Sequence, residues 1–193
     1  MKTVLLASTS PRRHQLLEQV GIAFTAISPP YEEDMTLPMA ADDLAMYLAL
    51  GKARSVAPQA QTTHVIVAAD TLIEFEGTVL GKPGSAERAF EMLQMLRGKT
   101  NIVQTGYAVI DCESEDFTNG VVSSYIEMRD YSDHDIRQYI ATGEPLDKAG
   151  AYAINGIGAL LIERVVDGDF SAVIGLPLAP VVDALRKFGI SIL

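Results

Sequence analysis

The apolar residues of this chain fall into two kinds of run. Short continuous or alternating stretches at 2–7, 22–28, 64–69, 71–75, 78–80, 100–111, 120–128 and 159–166 have the make-up of β-strands. Stretches at 11–20, 40–57, 85–97, 132–142 and 177–188 instead space their apolar side chains three and four apart, as one face of a helix requires. Leu16, Leu17 and Val20 share such a face, as do Ile136, Tyr139 and Ile140. Start signals agree with the periodicity. Ser10 before Pro11 predicts an N-cap and a first helical residue, Ser85 predicts a second cap, and Ser132 followed by Asp135 is close to a capping box. Glu76-Gly77 and Asp167-Gly168 are read as hairpin turns. Helices and strands alternate early while strands adjoin in the middle, which predicts an α/β fold with a mixed twisted sheet and flanking helices. There is no repeat, low-complexity tract or long linker, so residues 1–193 are read as one domain.

The first helix poses an electrostatic question. Arg12 and Arg13 fall in its first turn, where the macrodipole is already positive and carboxylates are the favoured side chains. Two cations there make sense if an anion joins them. Helix-start amides, the hydroxyls of Ser8 and Ser10, and two guanidinium groups together describe a phosphate site.

Charge narrows the choice of anion. A formal net charge of −10 argues against a nucleic-acid polymer, which demands a basic stripe, and leaves a small anionic substrate met by locally gathered cations or a metal ion. The 48% hydrophobic and 21% charged composition is that of an ordinary globular protein. No apolar run reaches membrane-span length and the first residues lack a signal-peptide core, so no membrane association and a cytoplasmic location are expected. The lone Cys112 excludes a disulfide within the chain and decides little more.

Other candidate positions are individually ambiguous. Asp70 follows the apolar run Val65–Ala69 and is read at the carboxyl end of a buried strand, where α/β sheets bind ligands. It reads equally as a metal ligand, a general base, or a residue capping the next turn or bonding Thr71. Gly81-Lys82-Pro83 is not a Walker loop, since Pro83 stands where Ser or Thr should hold magnesium, and Lys82 alone reads as a solvated turn lysine. Gly156-x-Gly158 lacks the third glycine of a dinucleotide fingerprint. Glu32, Glu33 and Asp34 read as a solvated acidic loop and Lys52 as a surface lysine. His14, His64 and His134 show no zinc-ligand spacing, and Cys112 between two acids makes a poor nucleophile.

Taken together, "LASTSPRRHQLLEQVGIAF", "AADTLIEFEGTVLGKP" and "GEPLDKAGAYAINGIGALLIERVVDGDFSAVIGLPL" resemble the Maf family of nucleotide pyrophosphatases, in order, from Leu5 to about Phe188. The resemblance implies an elongated, two-lobed α/β fold with a central cleft, related to inosine-triphosphate pyrophosphatases, and a homodimer. It implies hydrolysis of a nucleoside triphosphate to monophosphate and pyrophosphate with a divalent cation, Mg²⁺, Mn²⁺ or Co²⁺. Asp70 matches the family's proton acceptor, and Ser8, Arg12, Arg13, Glu33, Lys52 and Lys82 match its other cleft positions. Glu33 and Asp70 are the expected metal ligands.

Specificity follows from the same resemblance. The branch acting on dTTP and UTP has arginine after "SP", threonine after the aspartate and glutamine in "GAYGIQG"; the branch acting on 7-methyl-GTP has tryptophan, glutamine and glutamate. This chain has Arg12, Thr71 and Asn155, the last an amide one methylene shorter, and "GEPLDKAGAY" also favours the pyrimidine branch. Asn101 departs from the histidine many relatives carry after "LRG" or "LSG". The expected activity is dTTP/UTP pyrophosphatase, with CTP or modified pyrimidine nucleotides as further substrates and nucleotide-pool house-cleaning as the purpose. The alternatives are a 7-methyl-GTP pyrophosphatase and a nucleotide-binding regulator of septum formation.

Overall fold

The computed structural model describes residues 2–192. β1 (Thr3–Ala7), α1 (Pro11–Gln19), β2 (Phe24–Ile27) and α2 (Ala41–Val56) lead into a long strand, β3 (His64–Phe75), which turns back as β4 (Thr78–Leu80). Then come α3 (Ala86–Leu96), β5 (Thr100–Asp111), β6 (Phe117–Met128), α4 (Asp133–Ala141), β7 (Ile162–Asp167), α5 (Phe170–Ile174) and α6 (Leu178–Lys187). The seven strands form one sheet in the order β2-β1-β3-β5-β6-β7, with β4 paired to β3. β1 is parallel to β2 and β3, and the remaining pairs are antiparallel, which makes the sheet mixed as the element order predicts.

β3 organises the sheet. Along one edge it pairs with β5 throughout, Val65 opposite Asp111 to Glu74 opposite Ile102. Along the other, β1 covers 64–67 and β4 covers 73–75, leaving 68–72 without a strand partner on that side among the described residues. A cleft opens at this interruption. The reading of two strands separated by Asp70 is therefore corrected: the antiparallel ladder with β5 runs through Asp70, which lies opposite Gly106 in mid-strand. What ends near Asp70 is the parallel pairing with β1, not the strand.

Alternation along β3 assigns its faces. Val65, Val67 and Ala69 pack with Leu16 and Leu17 of α1 and Val181 and Leu185 of α6. Ile66 and Ala68 pack on the opposite face against Ala49, Ala53 and Val56 of α2. Further along the sheet, α3 and α4 bury Leu93, Leu96 and Ile136 against Val103, Ile126 and Met128. The contact between α2 and the sheet is unusually close, because a Cβ on Gly106 would lie 2.1 Å from the carbonyl oxygen of Ala45. Backbone meets backbone there.

Local signals hold at several ends and fail at others. Ser85 and Ser132 cap their helices, the latter in a full capping box with Asp135. Glu76 and Gly77, both at positive φ, close the β3–β4 hairpin between Phe75 and Thr78. Ser10 precedes α1 but makes no side-chain cap. The Asp167-Gly168 hairpin is corrected as well: the chain leaves β7 into α5, whose first turn is capped by Asp169 accepting from the Ala172 amide at 2.8 Å. Residues 159–161, read as the start of a strand, belong instead to a tight helical turn, Ile157–Leu161, before β7.

Glycine in a strand interior is usually a weakness that alanine relieves. At Gly106 the sign reverses, because an alanine methyl would have to displace α2 backbone. Gly106→Ala is expected to cost about 3 kcal/mol or more, at the severe end of overpacking, read as a lower urea midpoint at unchanged m-value.

Candidate active site

The centre of the cleft is a buried ion triplet. Lys52 projects from the sheet-facing side of α2 and is only 7% exposed. Its ammonium pairs with Asp70 Oδ1 and lies 2.6 Å from Glu33 Oε1. Asp70, 5% exposed, is directed to the α2 side of β3, and its partner is neither a turn amide nor Thr71 but this lysine. Glu33 arrives on the irregular segment between β2 and α2. Tyr31 anchors that segment: a Cβ on Gly51 would fall 2.4 Å from the Tyr31 ring, so the ring rests where α2 has no side chain. Burial pushes the Glu33 carboxyl up, but the hydrogen bond and charge of Lys52, with the charges of Lys82 and Arg13, outweigh this and hold it below the usual range.

The other end of the cleft is built from the turn between β1 and α1. The Ser8 hydroxyl accepts from the Ser10 amide at 3.1 Å and from Arg13 Nη1 at 3.3 Å, while Arg13 Nε donates to the Gly175 carbonyl at 2.8 Å. His14 reaches back from α1 to the Ser8 carbonyl at 2.9 Å and fixes the turn. Burial lowers the Arg13 pKa, opposed by the charge of Asp70, yet a guanidinium stays charged in a protein. α1 has no acidic residue in its first turn and no side-chain cap, so its positive end is not offset by a side chain of its own.

These groups share one cleft of about 730 Å³, lined by Ser8, Arg12, Arg13, Glu33, Lys52, Asp70, Thr71, Lys82 and Asn155, every position singled out from the sequence. Lys82 stands exposed on the turn after β4, and Asn155 is exposed on the turn that precedes residues 157–161. Lys52, a surface lysine by its local pattern, is buried, and Glu33 is the one acid of its loop paired to it.

Several contributors are given no individual role by the sequence reading, although Glu144, Asp147, Lys148 and Tyr152 lie within "GEPLDKAGAY". Asp147 and Lys148 line the cleft as an ion pair with each other. Tyr152 lines it too, with its hydroxyl donating to Asn101 Oδ1 at 2.7 Å, while Asn101 Nδ2 donates to the Ile126 carbonyl at 3.3 Å. The departure at Asn101 is thus a buried bracket behind the cleft wall. Glu144 accepts from the amides of Ile157 and Gly158, each at 2.9 Å, and from the Tyr139 hydroxyl at 2.8 Å, which ties down the segment bearing Asn155.

Among the described residues no group of three or more His, Cys, Asp or Glu side chains is placed to hold a metal alone. Glu33 and Asp70 nonetheless offer hard carboxylate oxygens within reach of one ammonium. Two carboxylates completed by substrate phosphates is the usual way Mg²⁺ is bound, so the donor set fits such an ion.

The fold and cleft define a class first. The structure of the Staphylococcus aureus Ham1 protein superposes with a TM-score of 0.53 over 86% of this chain and 82% of that one at 15% identity, which places the two in the same α/β fold. Residues 3–188 match the family model described as Maf-like protein. The dTTP/UTP pyrophosphatase of Dictyoglomus turgidum is 42% identical over 193 residues, covering 100% of this chain and 99% of that protein. Those of Methanosarcina mazei, 42% identical with 97% of that protein covered, and Bacillus cereus, 39% identical with 93% covered, also align with 100% of this chain. The chain belongs to the Maf family.

The triplet makes a stability prediction. Lys52→Met strands a buried carboxylate and is expected to cost about 3–5 kcal/mol at pH 7 in urea unfolding. Asp70→Asn added to Lys52→Met should recover part of this, and Glu33 should titrate at higher pH in Lys52→Met than in the wild type, followed by NMR. Equal stability of the single and double variants would contradict the pairing.

Proposed function

We propose that this protein hydrolyses dTTP and UTP, with CTP or modified pyrimidine nucleotides as further substrates, to the nucleoside monophosphate and pyrophosphate. The observation that carries the reading is one cleft uniting an anion cradle, a buried carboxylate and an amide. The purpose is cleansing of the nucleotide pool. No helix among the described residues is long and apolar enough to cross a membrane, and we assign the enzyme to the cytoplasm as a homodimer.

Each residue acts by its position. Arg12, Arg13, Ser8 and the start of α1 hold phosphate oxygens. Asp70 orients a water against the α phosphorus and accepts its proton as the new P–O bond forms. The bond from that phosphorus to the bridging oxygen breaks, and charge grows on the departing pyrophosphate. Lys52 and Lys82 meet this charge from the centre and the rim, where fixed cations are worth most in a site shielded from water. Glu33 and Asp70 would hold the divalent cation, Mg²⁺, Mn²⁺ or Co²⁺, which when bound neutralises phosphate charge. Asn155 both donates and accepts, which suits the edge of uracil or thymine, whereas a carboxylate there would suit the donor-rich edge of guanine. Its short side chain leaves space for a bridging water.

Asp70→Asn is expected to lower pyrophosphate release from dTTP and UTP by roughly 10²–10⁴-fold while nucleotide binding persists, measured by a coupled pyrophosphate assay and calorimetry. Removing divalent cations with a chelator should abolish turnover, and adding Mg²⁺ should restore it. Turnover of GTP or 7-methyl-GTP equal to that of dTTP would overturn the pyrimidine assignment.

A further inference from the structure

Thr71 on β3 and Thr105 on β5 are directly opposite one another in the ladder, and their hydroxyl oxygens are 3.1 Å apart. Thr105 is fully buried, and its oxygen is also 2.8 Å from the carbonyl oxygen of Ala172 in α5. That carbonyl lacks its ordinary helical donor. The Leu176 amide, four residues on, bonds the Ser171 carbonyl at 3.0 Å instead. A carbonyl only accepts and a hydroxyl has a single proton, so the Thr105 proton goes to Ala172. The contact between the threonines is then closed in one way, by Thr71 donating to Thr105. Thr71 has spent its proton behind the wall, and toward the cleft its oxygen offers lone pairs alone.

This polarity differs from that of its surroundings. A Cβ on Gly175 would lie 3.7 Å from Arg13 Nε and 3.8 Å from Thr71 Oγ1, so the two groups border the same corner. Arg13 is committed there to the Gly175 carbonyl and to Ser8. Ser8, Arg12, Arg13 and Lys82 are donors and cations suited to phosphate. The carboxylates Asp70, Glu33 and Asp147 are each paired to a lysine. Thr71 is an uncharged acceptor that repels a phosphate oxygen and calls for an N–H.

We infer that Thr105, through the Ala172 carbonyl, fixes Thr71 as an acceptor and so selects nucleobases carrying a ring N–H at their pairing edge, as uracil and thymine do, over cytosine, whose ring nitrogen there is bare. This rests on the proposed pyrimidine triphosphatase activity and ranks CTP below UTP within it. Thr105 is a positioning residue, since it is buried and acts on the ligand through Thr71.

The test compares kcat/KM for UTP and CTP, and the dissociation constants of the same nucleotides, in the wild type, Thr105→Val, Thr105→Ser and Thr71→Val. Thr105→Val frees the Thr71 proton, and the UTP:CTP ratio should fall about tenfold, the worth of one hydrogen bond reversed in sense. Thr105→Ser keeps the hydroxyl and should keep the ratio. Thr71→Val removes the acceptor, should lower the ratio as well, and should abolish any further effect of Thr105→Val. A ratio unchanged in Thr105→Val and Thr71→Val, or an equal loss for both nucleotides, overturns the inference while leaving the activity standing. Should Thr105→Val not fold, Thr71→Val on the cleft wall decides. If the wild type binds both nucleotides but cleaves neither, the proposed activity falls and the binding ratios still judge the inference; binding of neither overturns both.

Discussion

A lysine ammonium held between two carboxylates in a nearly dry position is the interaction around which this molecule is arranged. Burying Lys52 with Asp70 is tolerable only when geometry keeps the charges together, since either one alone would face a desolvation penalty of several kcal/mol. That geometry depends on α2 lying against the sheet at the distance Gly106 permits. The small residues Ala45, Ala49 and Ala53 keep the rest of the helix face low enough to follow. Glu33 completes the triplet from a segment with no regular structure, and Tyr31 seated on Gly51 anchors it. The packing of one helix thus determines where the charge in the cleft sits.

A second organising element is the short helix α5. Its caps and carbonyls reach two side chains that line or back the cleft: Gly175 receives Arg13, and Ala172 receives Thr105. A helix of this length leaves much of its backbone unpaired, and here those unpaired acceptors orient donors on neighbouring elements. The guanidinium and the threonine pair are therefore set by one piece of main chain. Its own position is secured by Asp169 at the start and by Ser171, which accepts from the Leu178 amide at 2.9 Å.

The longer helices were legible because their apolar spacing and caps act locally: Ser132 with Asp135 and Ser85 before α3 announce starts that the fold uses. β3 reads as two strands because a window along the chain sees a charged residue at position 70 but not the β5 ladder that passes it. α5 escapes a sequence reading since five residues are too few for a periodicity, although Asp169 and Gly175 are respectable start and stop signals. The burial of Lys52 has a signal in its spacing alone. It shares the stripe of Ala45, Ala49, Ala53 and Val56, and a lysine on a buried stripe requires a partner. Thr105 offered no such clue, because its role arises from a carbonyl sixty-seven residues away in the chain. Ser8, Arg12 and Arg13 are legible from the helix start itself, the other cleft positions gain their roles only through family resemblance, and the ion pairing among them appears only in three dimensions.

The interruption along β3 has a further consequence for solubility. An open strand edge invites another chain to add to the sheet, and proteins ordinarily blunt such edges with charge, proline or a bulge. Here β1 and β4 stand in line at either end of the gap, which spans roughly 20 Å from Val67 to Ile73 at a strand's rise per residue. A foreign strand approaching it would collide with both before it could align. The exposed ladder is recessed, open to a small molecule and closed to polymerisation, so the protein can keep a site in the middle of its sheet without the aggregation hazard that an uncovered edge carries.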